Sequence, residues 1–259
     1  MRTVSRHASD PFSNQLLAAL PAFDWQRWQA HIEEVELPVG QVLAEPGRPM
    51  AHAYFPTTAA ISLLYVTAAG ESVETGLVGD DGMVGIALFM GGDTMPNRAV
   101  VHGAGRAYRL PAQLLRAEAG RGGAVLVVLL RYAQSLIAQL SQMAACNRHH
   151  SIDQRVARRL LVELDRMPGN SMHMTQELLA GLLGVRREGV TAAALKLQLE
   201  GVIRYRRGHI DVLDRPSLAV RSCECYAVSD RSCRQRLLPQ HHHRETDQEH
   251  DRQVEHLAA

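Results

Sequence analysis

Residues 178–197 read LLAGLLGVRREGVTAAALKL. Arg186, Arg187 and Glu188 stand together just after Gly184, between two stretches rich in leucine and alanine. A helix packed wholly inside a core has no use for three charges in its first turn. A helix that presents that turn to a charged partner does. Upstream, Thr175 can cap QELLAGLL by accepting from the free backbone N–H groups of its first turn. Gly184 permits the tight turn that follows, and a second helix is expected from about Arg186 to Leu199. Two short helices joined by a glycine turn form the helix-turn-helix unit, whose second helix enters the major groove by its N-terminal residues. In that unit Val190, Ala194 and Leu197 face inward, and Arg187, Thr191 and Gln198 face out.

The next residues, GVIRYRRGHIDVLD (201–214), alternate apolar and polar on either side of Arg207-Gly208. This pattern predicts a hairpin with a basic tip, a wing suited to phosphate contacts. Arginine can bond guanine O6 and N7 together, and a carboxylate can accept from cytosine N4. The expected DNA-contacting set is Thr175, Gln176, Arg186, Arg187, Glu188, Thr191, Lys196, Arg204, Arg206 and Arg207.

Charge is distributed accordingly. The chain of 259 residues has a formal net charge of only +1. Residues 148–215 nevertheless hold 12 basic against 8 acidic residues, whereas residues 1–147 hold 10 against 12. Positive charge is concentrated where a nucleic-acid surface needs it. Lys196 is the single lysine among 28 basic residues. Arginine suits bidentate recognition, and a GC-rich genome's codon usage would give the same bias.

Before this segment, residues 124–147 run without glycine or proline. Leu126, Leu129, Ala133, Leu136, Leu140 and Met143 recur at spacings of three and four, an a/d seam on a helix of roughly 36 Å. A long helix with a narrow seam predicts a homodimer interface. The polar CNRHHS (146–151) reads as a solvated hinge, with Ser151 able to cap a further helix that ends before Pro168. His149 and His150 have no third metal ligand nearby at suitable spacing, so no metal site is expected there.

From Pro38 to Leu110 short β-branched or alternating runs, such as AISLLYV (60–66), are punctuated by glycine and proline. Many short strands at close spacing indicate a sandwich or rolled barrel. The preceding NQLLAALPAFDWQRWQAHIEEVEL follows a helical period and predicts a helical lead-in. The fold expected is α+β: an N-terminal β-roll (a double-stranded β-helix or jelly-roll) with its lead-in (1–120), a long dimerisation helix (121–147), and a C-terminal winged helix-turn-helix (148–215). Residues 216–259 read as a largely disordered tail.

Cys146, Cys223, Cys225 and Cys233 are not spaced as a secreted disulfide framework. The N-terminus lacks an apolar signal core, and the run AVLVVLL (124–130) is too short to span a bilayer. A cytoplasmic protein without a membrane partner is expected. Cys223, Cys225 and Cys233 with His241–His243 offer soft metal ligands, but Cys-x-Cys is not a CxxC knuckle and the surrounding composition is that of a flexible end.

Taken as a whole, the chain resembles the Crp/Fnr superfamily of bacterial transcription regulators over about residues 15–215. The resemblance rests on LPVGQVLAEPG (37–47), GLVGDDGMVGIALF (76–89) and MTQELLAGLLGVRREGV (174–190). It implies a cyclic-nucleotide-binding-like roll, a homodimer through helix 124–147, and double-stranded DNA with a near-palindromic site, one recognition helix per half-site. RNA polymerase is a further partner to be considered. Arg187-Glu188 stand at the family's base-reading positions, whereas Ala192 stands where a third arginine often follows. The resemblance places an effector pocket at Val84, Gly85, Ile86, Arg98 and Ala99, with Leu140 and Ser141 from the long helix. Ile86 and Ala99 replace the carboxylate and hydroxyl with which cyclic-nucleotide-binding members hold ribose and phosphate, so tight cyclic AMP binding is not expected. No cysteine precedes Cys146, so no iron–sulfur cluster is expected, and His52 and His102 are isolated as haem ligands. The effector remains unassigned. An enzyme is not expected. The alternatives are a cupin-like metal-dependent enzyme, for which the roll lacks a His-x-His, and a regulator acting only through protein partners.

Overall fold

The computed structural model of the chain describes residues 10–166 and 169–227. Cys233, His241–His243 and the rest of the expected tail beyond 227 lie outside the described residues.

The lead-in comprises α1 (Gln15–Ala18) and α2 (Ala22–Gln29). Buried Asn14 ties them to the sheets: its side-chain oxygen caps α1 at Leu16 and Leu17, while its amide donates to the carbonyls of Pro56 (2.8 Å) and Gly82 (2.9 Å). The helical lead-in ends sooner than its sequence period suggests. Glu33–Leu37 form strand β1 instead, paired antiparallel with β7 (Gly105–Pro111). Cross-strand ion pairs, Glu33 with Arg109 at 2.8 Å and Glu34 with Arg106 at 3.5 Å, give the acidic residues partners on the sheet that a helix would not offer.

The remaining roll strands are β2 (Val42–Ala44), β3 (His52–Pro56), β4 (Ala60–Val66), β5 (Ser72–Val78) and β6 (Arg98–Gly103). They form two antiparallel sheets, ordered β1-β7-β3 and β2-β6-β4-β5. One core serves both, built from Phe55, Ile61, Leu63, Val78, Ala99 and Leu110 together with Leu16 and Leu17 of the lead-in, Leu115 of α3 (Ala112–Arg121) and the inner side of α4 (Gly123–His149).

Helix α4 corrects one reading. Part of the predicted seam packs within the chain itself. Leu129, Ala133 and Leu136 are buried in the roll's own core, Leu140 packs on its edge, and Tyr132 donates to the Met83 carbonyl at 2.8 Å. The exposed stripe is one residue further on: Val127 (47% exposed), Leu130 (50%) and Ile137 (56%), spaced with Gln134, Ser141 and Ala144 at three and four. The helix is long and apolar enough to cross a bilayer, yet its inward apolar side already has a protein partner.

A capping box between Ser151 and Gln154 starts α5 (Ile152–Leu164). Then follow β8 (Ser171–His173), α6 (Gln176–Leu183), α7 (Arg187–Leu199), β9 (Ile203–Arg206), β10 (His209–Val212) and α8 (Arg215–Arg221). They enclose a second core that includes Val156, Leu160, Leu179, Val190, Leu197 and Ile210. Strand β8 makes the wing three-stranded, ordered β8-β10-β9. The tail reading fails as far as residue 227. Helix α8 packs on α5, and Cys223 and Cys225 are buried.

Candidate nucleic-acid interface

Thr175 caps α6, its hydroxyl accepting from Leu178 N at 3.1 Å. Gly184 ends the helix in the left-handed region, at φ 60° and ψ 42°. Helix α7 starts at Arg187 with no side-chain cap. Its first N–H groups and the positive end of its dipole are left for an anionic partner. As expected, Val190, Ala194 and Leu197 are buried, and Arg186, Arg187, Glu188 and Thr191 are exposed. Gln198 is only half-exposed because it accepts from Tyr205 N at 2.7 Å, bracing α7 against the wing.

The wing turns at Arg207 (φ 50°) and Gly208 (φ 82°). Two consecutive positive φ values are those of a type I′ turn, whose twist matches the two strands. This turn brings the wing tip to the helices. Thr175, Gln176, Glu177, Arg187, Tyr205, Arg207 and Gly208 line one recess of about 480 Å³. The Thr191 hydroxyl lies 2.8 Å from Gln176 Oε1 and 3.0 Å from the Arg187 carbonyl, so it links the two helices at the edge of this recess. Arg204 and Arg206 are exposed along β9.

Lys196 behaves differently from the rest of the expected set. It pairs with Asp153 of α5 at 2.6 Å, in the C-terminal part of α7. Glu177 and Tyr205 were not anticipated. Tyr205 lies in the apolar phase of the wing pattern, yet its hydroxyl emerges to donate to the Met174 carbonyl at 3.1 Å. Burial pushes its phenol pKa up.

The roll reaches this region. Thr67 and Glu71 from the β4–β5 turn, with Ser72 and Val73 at the start of β5, share a second recess with Gly184, Val185, Arg186, Arg187 and Glu188. A Cβ on Gly184 would lie 2.8 Å from Val73 Cγ2, so glycine is required there for close approach as well as for its φ. Beneath, a buried ionic network joins the two cores. Arg159 of α5 meets Glu74 of β5 at 3.2 Å and Glu163 at 2.6 Å, and Glu163 also meets His102 of β6 at 3.1 Å. Ser62 donates to Glu74 at 2.6 Å. Burial disfavours the charged form of Glu163, but the His102 hydrogen bond and the Arg159 charge outweigh it and hold the carboxyl at about 2. His102 is thus a buried histidine with a carboxylate partner.

Several of the expected effector residues are packed into the roll. Val84 and Ala99 are fully buried in the roll core. Gly85, at φ 114°, lies against Leu88, Ala53 and Met50 and serves as the N-cap of a short turn. Ile86 packs on the same core, and Arg98 is ion-paired with Glu45 at 2.9 Å. Leu140 approaches Gly76, while Ser141 lies on the exposed side of α4 and donates to its own helix at Ile137.

The hinge reading of residues 146–151 is overturned at Cys146 and His150. His149 is exposed, but His150 meets buried Cys146, Cys223 and Cys225, the ligand atoms of all four lying within 4.8 Å of one another. Burial pushes the Cys146 thiol up to about 12 and raises that of Cys225 as well. Spacing along the chain could not show this, because 77 residues separate Cys146 from Cys223.

Comparison with known proteins agrees with this geometry. The family model of the Crp-like helix-turn-helix domain matches residues 154–221. Similar solved structures include a protein assigned to the Crp/Fnr family of transcriptional regulators from Eubacterium rectale, at 17% identity and TM-score 0.69, covering 81% of this chain and 98% of that one. A Crp/Fnr-family transcriptional regulator from Thermus thermophilus matches at 23% identity and TM-score 0.61, covering 77% and 100%. The c-di-GMP-responsive global regulator CLP from Xanthomonas campestris matches at 19% and 0.59, covering 74% and 99%. All three of these neighbours are described as regulators. No curated protein sequence matches this chain.

Proposed function

We infer, from a chain that carries a Crp-like helix-turn-helix domain on the fold of the Crp/Fnr regulators, that this protein is a sequence-specific DNA-binding transcription regulator acting in the cytoplasm as a homodimer. One observation carries the reading. Arg187, in the uncapped first turn of α7, shares a recess with the first turn of α6 and with the Arg207–Gly208 wing tip. Helix N-terminus, neighbouring helix and wing thereby present one continuous face to a duplex. Arg186, Arg187 and Glu188 read base edges. Thr175, Gln176, Thr191, Arg204, Arg206 and Arg207 hold the backbone and set the register. Lys196, braced on Asp153, contributes to the electrostatic field rather than to a contact.

The dimer forms along the outer stripe of α4, through Val127, Leu130 and Ile137, which leaves the inner side of that helix on the roll. A two-fold pair of chains then reads a near-palindromic site. The roll acts on the reading helix through the Glu74–Arg159–Glu163–His102 network and through Val73 against Gly184. An effector must favour one arrangement of these contacts over the other in order to switch the protein.

The test is selection of bound sequences from a random duplex library, with the chain and with Arg187→Ala. A two-fold symmetric motif with half-sites about 10 bp apart, blurred at one base pair per half-site by the substitution, is expected. Binding that selects no motif, or a motif indifferent to Arg187, refutes the reading.

A further inference from the structure

At the junction between α4 and the DNA-binding domain, four soft ligand atoms converge from opposite ends of the last 80 or so described residues. Cys146 and His150 stand four apart, so the end of α4 carries both on one face. Cys223 and Cys225 follow α8, and Gln142 of α4 holds the Cys225 carbonyl at 3.1 Å. All three cysteines are free thiols and nearly inaccessible, at 0%, 3% and 6% exposure.

The spacings are those of a coordination shell. Cys146 Sγ lies 3.6 Å from Cys223 Sγ, and Cys225 Sγ lies 3.6 Å from His150 Nδ1. A tetrahedral ion with zinc–sulfur bonds of about 2.3 Å and zinc–nitrogen bonds of about 2.0 Å has edges of roughly 3.8 and 3.5 Å. Multinuclear iron–sulfur clusters spread their ligands over several metal atoms and do not fit four donors within 4.8 Å.

Two neighbouring features are independent of these spacings. His150 turns its other nitrogen, Nε2, to Glu224 Oε1 at 3.1 Å, so that Nδ1 faces the sulfurs. Carboxylates commonly hold metal-binding histidines in this way. Arg155 and Arg158 are buried, with no carboxylate partner among the described residues, and both interact electrostatically with the cysteines. A buried guanidinium needs an anionic partner, and an ion of charge +2 held by three thiolates and a neutral imidazole has net charge −1.

We propose that Cys146, His150, Cys223 and Cys225 form a mononuclear zinc site that fastens the end of α4 to the far end of the DNA-binding domain. Each ion bound displaces three thiol protons to solvent, and no electron is transferred. All four positions are protein ligands, as in closed structural sites rather than catalytic ones. The ion spans the bend at His150 and Ser151 and so limits how the domain can turn on the long helix. The site stands on its own geometry, while any consequence for DNA affinity rests on the regulator reading above.

The test uses the full chain, reduced and stripped with a chelator, and titrated anaerobically with Co²⁺. A sulfur-to-cobalt charge-transfer band reports thiolate ligands, which binding at His241–His243 would not produce. The band should saturate at one Co²⁺ per chain and disappear on adding one equivalent of Zn²⁺. It should be lost in Cys146→Ser and in Cys223→Ser and survive in Cys233→Ser. Glu224→Gln alters an exposed side chain and should leave the fold intact while weakening the metal by about 10–100-fold. Absence of the band in the unsubstituted chain, its persistence without Cys146 and Cys223, or an unchanged affinity in Glu224→Gln would overturn the proposal. None of these readouts requires DNA.

Discussion

Glu163→Gln tests the ionic link between the roll and the DNA-binding domain. Glu163 is 2% exposed and receives both Arg159 and His102. Its carboxyl is held at about 2 instead of its ordinary 4.5. Because the folded value is depressed, the stabilisation is fully present above pH 4.5 and is lost as pH falls toward 2. A shift of this size corresponds to about 3 kcal/mol at neutral pH, of which about 2 kcal/mol disappears between roughly pH 5 and pH 3. Urea unfolding of both chains at those two pH values isolates the effect, since the other titrating groups are common to both. The unsubstituted chain should lose about 2 kcal/mol more than Glu163→Gln over that interval. Equal losses would mean that Glu163 is not held ionised by this network, and the coupling assigned to it would fall.

Removing the wing-tip charge in Arg207→Ala should weaken binding to all duplexes alike and lower the slope of log affinity against log salt by about one per protomer, as read by fluorescence anisotropy across a salt series. Ile137→Glu, on the outer stripe of α4, should raise the dimer dissociation constant by more than about tenfold, because burying such a side chain is worth roughly 1.5–3 kcal/mol. Sedimentation equilibrium measures this, and a dimer indifferent to the change would place the interface elsewhere. Gly184→Ala should destabilise the chain by roughly 1–2 kcal/mol from its left-handed backbone alone, plus a further cost from Val73. Adding Val73→Ala should recover only the second part in denaturant titration.

Local rules explain what was legible beforehand. The Thr175 cap, the Gly184 turn, the charged start of α7 and the Arg207–Gly208 hairpin each depend on residues a few positions apart. Their chemistry is written in the order of the chain. The strand-rich roll and the long helix are legible for the same reason, since periodicity reports which residues share a face. Periodicity does not say what that face meets. The α4 seam was regular enough to predict burial, but only the packed roll shows that Leu129, Ala133 and Leu136 are buried within the chain and that the next stripe is exposed. Strand β1 was hidden because its acidic residues find arginines on β7, more than 70 residues away.

The two junctions between the domains belong wholly to the tertiary structure. Arg159 and Glu163 stand one helical turn apart on α5, but Glu74 of β5 and His102 of β6 come from far along the chain, and no local spacing joins them to that pair. Cys146 and His150 read as part of a polar hinge, and Cys223 and Cys225 as part of a tail, until α8 folds back on α5 and sets the four side by side. The sequence by itself determined the local elements and which residues of the helix-turn-helix and wing are exposed, because helices, turns and caps are short-range. How those modules are fastened to one another required the folded chain, because ion pairs and ligand shells depend on distance in space and not on separation along the backbone.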